Sequence, residues 1–376
     1  MIDNIEIIIT GDFVPPSISS KLEDSALQSF LYERELLDTI SHSDLSITNL
    51  EVPLTNANKP IKKSGPSMFG SPENIRFIKL GGFNMVTLAN NHIMDYDGKG
   101  LNDTIKLCER NHIATVGAGV SEKEAKETYY IDIKGKKIAI INTAENEFLF
   151  SKTSTFQAHN FDLIDIFQKI VEAKSKADFV LLIYHGGVEN FQLPYPKMRK
   201  NLKFLSLAGV NAIVCHHTHC YSGYEVYNEV PIFYGLGNFV FDRKANIKTW
   251  FEGFILKLKI DNNLKLDFEL IPYSQSLNNT GVRLMKTNDF DNFHKSINKL
   301  NKILSNSKAY EKHWDILIKK ITPKLIKHIY PPSFLSNEKN NLNKHKGTKK
   351  IVYLYNLIRT ESTHFCLLEA LDEIYQ

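Results

Sequence analysis

The sequence lacks long apolar runs, and no stretch approaches the roughly 20 consecutive apolar residues that a membrane-spanning helix needs. Its first residues contain no basic segment followed by an apolar one, so we expect no secretory signal. Only four cysteines occur in 376 residues, none of them in a Cys-x-x-Cys pair. This scarcity argues against a disulfide framework and favours a reducing compartment. We therefore expect a cytoplasmic globular protein without a transmembrane segment.

Net charge is also small, because 46 Lys and Arg stand against 42 Asp and Glu. A net charge of +4 creates no strong field that would favour nucleic acid as a partner. The 19 glycines and 13 prolines are too few for a collagen-like or linker-like chain. The 23 Phe and 16 Tyr exclude disorder of the whole chain. What remains is a folded protein with a large core.

One pattern recurs along the first 220 residues: an apolar, β-branched run stops abruptly and is followed by polar side chains. The predicted strands end near residues 10, 48, 88, 184 and 214, and the polar groups behind them are Gly11-Asp12, Asn49-Leu50-Glu51, Asn90-Asn91-His92, His185 and His216-His217-Thr218-His219. Open α/β sheets place ligands at the carboxyl ends of their strands. The five groups are therefore expected to converge on one site.

These side chains are an oxygen and nitrogen donor set, which suits Mn, Fe or Zn better than a thiolate site would. Each also has an ordinary structural alternative. Asp12 follows a glycine as turn residues do, Glu51 suits a helix N-terminus, and His185 can be a satisfied residue at a sheet edge. The combination favours a metal centre. His216 is the weaker candidate, because on an extended segment its side chain points opposite to that of His217.

The ordered set of motifs resembles the CapA family, proteins associated with poly-gamma-glutamate capsule synthesis that have the calcineurin-like metallophosphoesterase fold. The resemblance rests on the groups above together with His185-Gly186-Gly187-Val188-Glu189 and the run PIFYGLGNFVFD at 231–242, and covers about residues 5–245. It implies a four-layer α/β/β/α sandwich. The last third of the chain shows no such resemblance.

The resemblance further implies two divalent metal ions. Asp12 and His219 would hold the first, Asn91, His185 and His217 the second, and Glu51 would bridge them. His92 would protonate the leaving oxygen. The candidates for contact with a small or polymeric anionic substrate are Asn49, Asn90, Glu189 and Asn238, with support of the metal ligands as the alternative for Asn49 and Asn238. The chain departs from the phosphoesterase pattern at Val14, where that pattern has a histidine, so the first metal is expected to bind more weakly.

The chain changes character near residue 280, which predicts a metallophosphoesterase-like domain over 1–280 and a helical extension over 281–376. The extension holds 17 Lys and Arg against 9 Asp and Glu, with helical periodicity and a polar, Lys- and Asn-rich connection over 336–350. A helix pair packed on the core is favoured over a segment that binds an anionic membrane or polymer.

Two functions follow from the sequence. The first is a metal-dependent phosphoester hydrolase in capsule or cell-surface polymer synthesis. The second is a non-hydrolytic, metal-containing component of a polymer synthesis or export complex that binds an acidic chain. The second stays open because a fold does not fix an activity, and cell-surface polymer synthesis proteins are its expected partners.

Overall fold

The computed structural model describes residues 4–16, 23–150, 154–242, 245–276, 281–329 and 349–375. In chain order the strands are β1 (Ile5–Val14), β2 (Leu45–Leu50), β3 (Met85–Thr87), β4 (Ala114–Val116), β5 (Ala118–Gly119), β6 (Tyr129–Ile133), β7 (Lys136–Ala144), β8 (Gln157–Ala158), β9 (Phe179–His185), β10 (Ala212–His216), β11 (Tyr224–Tyr227), β12 (Val230–Phe233), β13 (Asn238–Phe241), β14 (Glu252–Ile260), β15 (Leu266–Gln275) and β16 (Val282–Leu284). The helices are α1 (Asp24–Leu31), α2 (Arg34–Ser41), α3 (Ile75–Leu80), α4 (Asp97–Arg110), α5 (Glu122–Ala125), α6 (Leu163–Lys176), α7 (Pro196–Leu205), α8 (Thr287–Leu304), α9 (Ser307–Ile329), α10 (Lys349–Arg359) and α11 (Glu361–Tyr375).

Two large sheets form the body of the protein. The first has the strand order β16-β15-β14-β1-β2-β3-β4, with β13 also paired to β1, and the second has the order β11-β12-β10-β9-β7-β6. The strands β1 to β4 run parallel to one another, as do β7, β9, β10 and β12. Parallel strands bring their carboxyl ends to one edge of a sheet, which is where the polar groups of the sequence lie.

The side chains of β1 alternate between two apolar clusters. Ile7 and Ile9 join the cluster between the two sheets, while Ile8 joins the cluster under the outer helices of the first sheet. The helices α6 and α7 pack on the opposite side of the second sheet, through residues such as Ile170 and Leu202. Layers of helix, sheet, sheet and helix result, so the predicted four-layer α/β/β/α sandwich is confirmed.

The buried face of α6 differs from the one its sequence suggests. The apolar residues Ile164, Phe167, Ile170 and Val171 lie near one another on a helical wheel, yet Ile164 is 69% exposed and Val171 48% exposed. The buried residues are Ile166, Ile170 and Ala173. Apolar residues occur around much of the circumference of α6, so its sequence does not define one buried face. The strands on which it packs, β7 and β9, determine which face is buried.

The C-terminal helices pack on the body of the protein, as the favoured alternative predicts. Trp314 of α9 contacts Phe365 of α11, and Phe365 contacts Tyr195 beside α7. The predicted boundary near residue 280 falls just before β16, which pairs with β15 in the first sheet. The division into two domains remains a prediction, and most of the Lys- and Asn-rich connection over 336–350 lies outside the described residues.

Within the described ranges, every helix is either too short or too polar to cross a bilayer. The four cysteines are buried and free of disulfide bonds.

Candidate metal centre

Asp12 occupies the middle of the edge where the strands end. It pairs in register with Asn49 of β2 on one side and with Asn238 of β13 on the other. Its carboxylate is buried and accepts hydrogen bonds from Asn49 Nδ2 at 2.8 Å and from the backbone N–H of His217 at 3.2 Å. Burial alone would raise the pKa of Asp12, but the nearby imidazoles of His216 and His219 hold it well below the usual value. Asp12 is therefore an anion at neutral pH.

Glu51 follows β2 and is completely buried. Its Oε1 atom lies 3.6 Å from His185 Nε2 and 3.7 Å from His219 Nε2. Among the described residues, neither carboxylate oxygen of Glu51 has a hydrogen-bond partner. Burial and the charge of Asp12 raise the pKa of Glu51 well above the usual value. A buried carboxylate without donors is costly, so this one calls for a counterion.

Three histidines surround Glu51. His185 ends β9, and its Nε2 atom lies 3.1 Å from His217 Nδ1 and 3.0 Å from the side-chain oxygen of Asn91. Burial and the charge of His217 lower the pKa of His185 well below the usual value. The pKa of His219 is lowered by burial but raised more by Glu51 and Asp12, to about 10. The imidazole of His185 is thus held neutral, while that of His219 lies in a strongly negative environment.

The backbone explains how His217 and His219 both reach the centre. The φ angles of these residues are +87° and +54°, in the left-handed region that non-glycine residues seldom adopt. Such strain is typical of functional sites, where the surroundings hold it in place. Because the chain is not extended there, side-chain alternation fails, and His216 lies near the ligands with its Nδ1 atom 3.5 Å from Asp12 Oδ1. The expectation that the side chain of His216 points opposite to that of His217 is therefore wrong.

The ligand atoms form two groups that share Glu51. Within each group the atoms lie within 4.8 Å of one another; one group is Glu51, His185 and His217, and the other is Asp12, Glu51 and His219. Carboxylate oxygens and imidazole nitrogens at such separations suit divalent cations. The unpartnered oxygens of Glu51 fit the same interpretation, since a cation would supply their missing partner. The structure thus brings together the residues predicted as ligands, including Asn91.

His92 follows Asn91 and belongs to a buried ionic network. Its Nδ1 atom lies 2.7 Å from Asp95 Oδ2, and Asp95 also forms an ion pair with Lys63. The Lys63 ammonium donates to the backbone oxygen of Asn91 at 2.9 Å. Burial and the charge of Lys63 lower the pKa of His92, while Asp95 opposes them. Lys63 was not predicted, because a lysine in a polar loop carries no signal in the sequence.

Three of the four residues predicted for substrate contact form hydrogen bonds within the protein. Asn49 hydrogen-bonds Asp12 and also lies 3.2 Å from His185 Nδ1. The Asn90 side-chain oxygen accepts from the N–H groups of His92 and Ile93, which fixes the turn that carries the ligand Asn91. Asn238 places its side-chain oxygen 2.9 Å from His219 Nδ1. The hydrogen-bonding capacity of these buried amides is taken up by the protein. Glu189 is exposed, and its charge acts on Glu51 and His219.

The C-terminal helices support the outer wall of the centre. Glu147 accepts hydrogen bonds from Asn91 at 3.1 Å and from Asn356 of α10 at 2.8 Å. Arg359 donates to the backbone oxygen of Asn146 at 2.8 Å. The orientation of Asn91 therefore depends on contacts made by residues more than 200 positions away.

The fold and the centre define an α/β protein with a buried cluster of carboxylates and imidazoles at the carboxyl ends of its parallel strands. Residues 6–243 match the family described as bacterial capsule synthesis protein PGA_cap, and the chain belongs to that family.

Two relatives share about a third of their aligned residues with this chain. The capsule biosynthesis protein CapA of Bacillus anthracis is 32% identical over 222 residues, which are 56% of this chain and 53% of that protein. The PGA biosynthesis protein CapA of Bacillus subtilis (strain 168) is 34% identical over 241 residues, 63% of this chain and 62% of that protein. This chain therefore matches between half and two thirds of the length of each relative.

A solved structure, described as a putative 5'-nucleotidase from Staphylococcus aureus in complex with alpha-ketoglutarate, is similar at a TM-score of 0.45. The two chains are 14% identical, and the match covers 79% of this chain and 58% of that one.

Proposed function

We propose that this protein is a metal-dependent phosphoester hydrolase that acts in the synthesis of a capsule or another cell-surface polymer. The observation that carries the proposal is the environment of Glu51. This fully buried carboxylate belongs to both ligand groups, and its two oxygens lack hydrogen-bond partners among the described residues. A single carboxylate between two sets of imidazoles is suited to bridging two cations.

The ligands divide between the two cations as follows. Asp12 and His219 would hold the first, Asn91, His185 and His217 would hold the second, and Glu51 would belong to both sets. When bound, two such cations supply a hydroxide nucleophile at neutral pH and charge stabilisation of the attacking and leaving oxygens. Asn49 and Asn238 keep Asp12 and His219 in place through their side-chain contacts.

His92 provides the proton for the leaving oxygen. Asp95 engages its Nδ1 atom, which leaves Nε2 as the nitrogen that faces a substrate. Burial and the charge of Lys63 lower the pKa of His92, while the contact with Asp95 opposes this shift and favours the protonated imidazole that a general acid needs.

Family membership and the names of the relatives support the polymer setting. The names do not state a reaction, so the chemistry rests on the centre itself. The ligand set suits Mn, Fe or Zn, and activity in the presence of each is part of the test.

The direct test is a panel of phosphomonoesters and phosphodiesters assayed with added Mn²⁺. We expect turnover by the wild type, at least about a hundredfold less by His92→Asn, and none above background by Glu51→Gln. Glu172→Gln removes an exposed carboxylate on α6 and should retain full activity. Equal background rates for all four proteins would reject the hydrolase.

A non-hydrolytic component that binds an acidic chain is the second candidate. It is favoured by the excess of positive charge in residues 281–376 and by relatives that are named for polymer biosynthesis. Binding of poly-glutamate that is lost on chelation, from a metal-loaded protein without turnover on any ester, would select this function over the first.

A further inference from the structure

Glu147 determines which atom of Asn91 faces the metal centre. Its carboxylate accepts hydrogen bonds from Asn91 Nδ2 at 3.1 Å and from Asn356 Nδ2 of α10 at 2.8 Å. A carboxylate accepts hydrogen bonds, so each of these amides must present its NH2 group to Glu147. The side-chain oxygen of Asn91 is then left to face the centre, where it lies 3.0 Å from His185 Nε2. Asn91 therefore offers a cation an oxygen lone pair, which its NH2 group does not have.

Asn356 is itself held at the junction between α10 and α11. Its side chain is buried, and its oxygen accepts a hydrogen bond from Thr360 Oγ1 at 3.1 Å, so its NH2 group is directed at Glu147. The same junction holds the backbone next to Glu147, because the N–H of Asn146 donates to Glu361 at 2.7 Å. The end of α10 and the start of α11 thus fix both the side chain of Glu147 and the loop that carries it.

A second acidic residue attaches this junction to His185. Glu145 accepts hydrogen bonds from the backbone N–H of Ser362 in α11 at 3.1 Å and from that of Gly187 at 3.0 Å. The N–H of Glu145 donates to the backbone oxygen of His185 at 2.9 Å. Asn91 and His185, both assigned to the second cation, are therefore both tied to the C-terminal helices.

The residues assigned to the first cation have a different support. Asp12 accepts a hydrogen bond from Asn49, and His219 Nδ1 lies 2.9 Å from the side-chain oxygen of Asn238. Both asparagines belong to residues 6–243, which match the family, whereas α10 and α11 lie beyond that range. A change in the C-terminal helices should therefore affect the two halves of the centre differently.

We propose that Asn356 and Glu147 are positioning residues that make binding of the second cation depend on the docking of α10 and α11. This inference rests on the proposed metal centre. Residues that orient a metal ligand typically change the affinity for the metal by about 10–100-fold when they are replaced. Without Asn356, Glu147 loses its anchor and no longer fixes the amide of Asn91. The C-terminal helices thereby control whether the centre holds one cation or two.

The test measures Co²⁺ binding by the 376-residue chain in two backgrounds that each keep one cation. His219→Leu removes a ligand of the first cation, and His217→Leu removes a ligand of the second. Asn356→Leu added to His219→Leu should lower the affinity for the remaining ion by about 10–100-fold, because Asn91 helps to hold that ion. The same substitution added to His217→Leu should leave the affinity for the other ion unchanged.

Thr363→Val is the matched control from the same junction. Its hydroxyl contacts backbone oxygens of α10 and of the turn that follows, so its loss should leave the affinity unchanged in both backgrounds. Melting of the metal-free proteins shows that each variant is folded, and Asn356→Ala replaces Asn356→Leu if the larger side chain prevents folding. An equal loss of affinity in both backgrounds, or no loss in either, would overturn the inference. A wild type that takes up no cobalt would instead contradict the proposed function.

Discussion

The Nε2 atom of His185 and the Nδ1 atom of His217 lie 3.1 Å apart, with both rings buried. Two imidazolium ions cannot share this position, and burial together with His217 lowers the pKa of His185. A neutral His185 imidazole this close to Glu51 can donate a lone pair to a cation. The following predictions start from that arrangement.

Divalent metal should stabilise the fold. A cation that binds only the folded state at 100 times its dissociation constant adds about 2.7 kcal/mol to the free energy of unfolding. We expect the melting temperature of chelator-treated protein to rise on addition of Mn²⁺ or Zn²⁺, and Glu51→Gln to lose most of that rise. Glu172→Gln should retain it. Identical melting curves with and without metal would contradict the centre.

The buried pair of Lys63 and Asp95 should be worth far more than an exposed one. Lys63→Met leaves the Asp95 carboxylate buried without its countercharge and should cost about 3–5 kcal/mol in urea unfolding. Lys99→Met removes the lysine of an exposed pair with Asp103 and should cost less than about 1 kcal/mol.

The single variants Lys63→Met and Asp95→Asn and the double variant Lys63→Met/Asp95→Asn together form a double-mutant cycle. The double variant should recover part of the loss caused by Lys63→Met alone, since both charges are then removed together. A double variant whose cost equals the sum of the two single variants would show that these groups do not interact.

Stability should depend on pH through Glu145. This buried carboxyl lies near Tyr184, Gly187 and Ser362, and burial together with the charge of Glu361 raises its pKa from 4.5 to about 8. The folded state then binds the proton more tightly than the unfolded state. Its contribution to stability is therefore complete below about pH 4.5 and is lost as the pH rises through 8.

Urea unfolding across pH 5–9 isolates this contribution, because Glu145→Gln cannot ionise. The variant should show a flatter decline in the free energy of unfolding than wild type, by about 1.4 kcal/mol for each pH unit over which Glu145 ionises only in the unfolded state. Glu172→Gln should decline in parallel with wild type. Parallel curves for Glu145→Gln would refute the raised pKa.

Gly11 should tolerate no side chain. A Cβ atom there would overlap the carbonyl oxygen of Gly237, which accepts the hydrogen bond from the N–H of Asp12 at 3.0 Å. Gly11→Ala should push β1 away from its neighbour, displace Asp12 and reduce both the melting temperature and metal uptake. A Cβ atom at Gly65 would meet no atom within 4 Å, so Gly65→Ala carries only the strain of a φ of +88°, which costs about 1–2 kcal/mol. Comparable metal uptake by the two variants would contradict this account.

Much of the centre was accessible from the sequence because apolar strands end abruptly at polar residues. The strands before Asp12, Glu51, Asn91 and His185 were all predicted from short β-branched runs. The exact ends were not, since β1 continues to Val14, carried on by its pairing with β2 and β13. Hydrogen bonds to neighbouring strands decide such boundaries, and local pattern does not include them.

Contacts that depend on backbone bends and distant loops could not be predicted from the sequence. The left-handed φ of His217 lets its side chain reach the same centre as that of His216, although simple alternation predicts that the two point in opposite directions. Lys63 reaches Asp95 from a loop with no regular pattern, and the buried face of α6 was chosen by the sheet beneath it. Each result depends on neighbours far away in the chain.

The sequence by itself determined the layered α/β class and the kinds of donor available to a cation, because strand pattern and residue chemistry are local properties. Only the tertiary structure decided that Asn90 fixes the turn before Asn91, that Lys63 pairs with Asp95 beside His92, and that α10 helps to hold Asn91 through Glu147. Distances between side chains are set by how sheets and helices pack, and packing is a property of the whole chain.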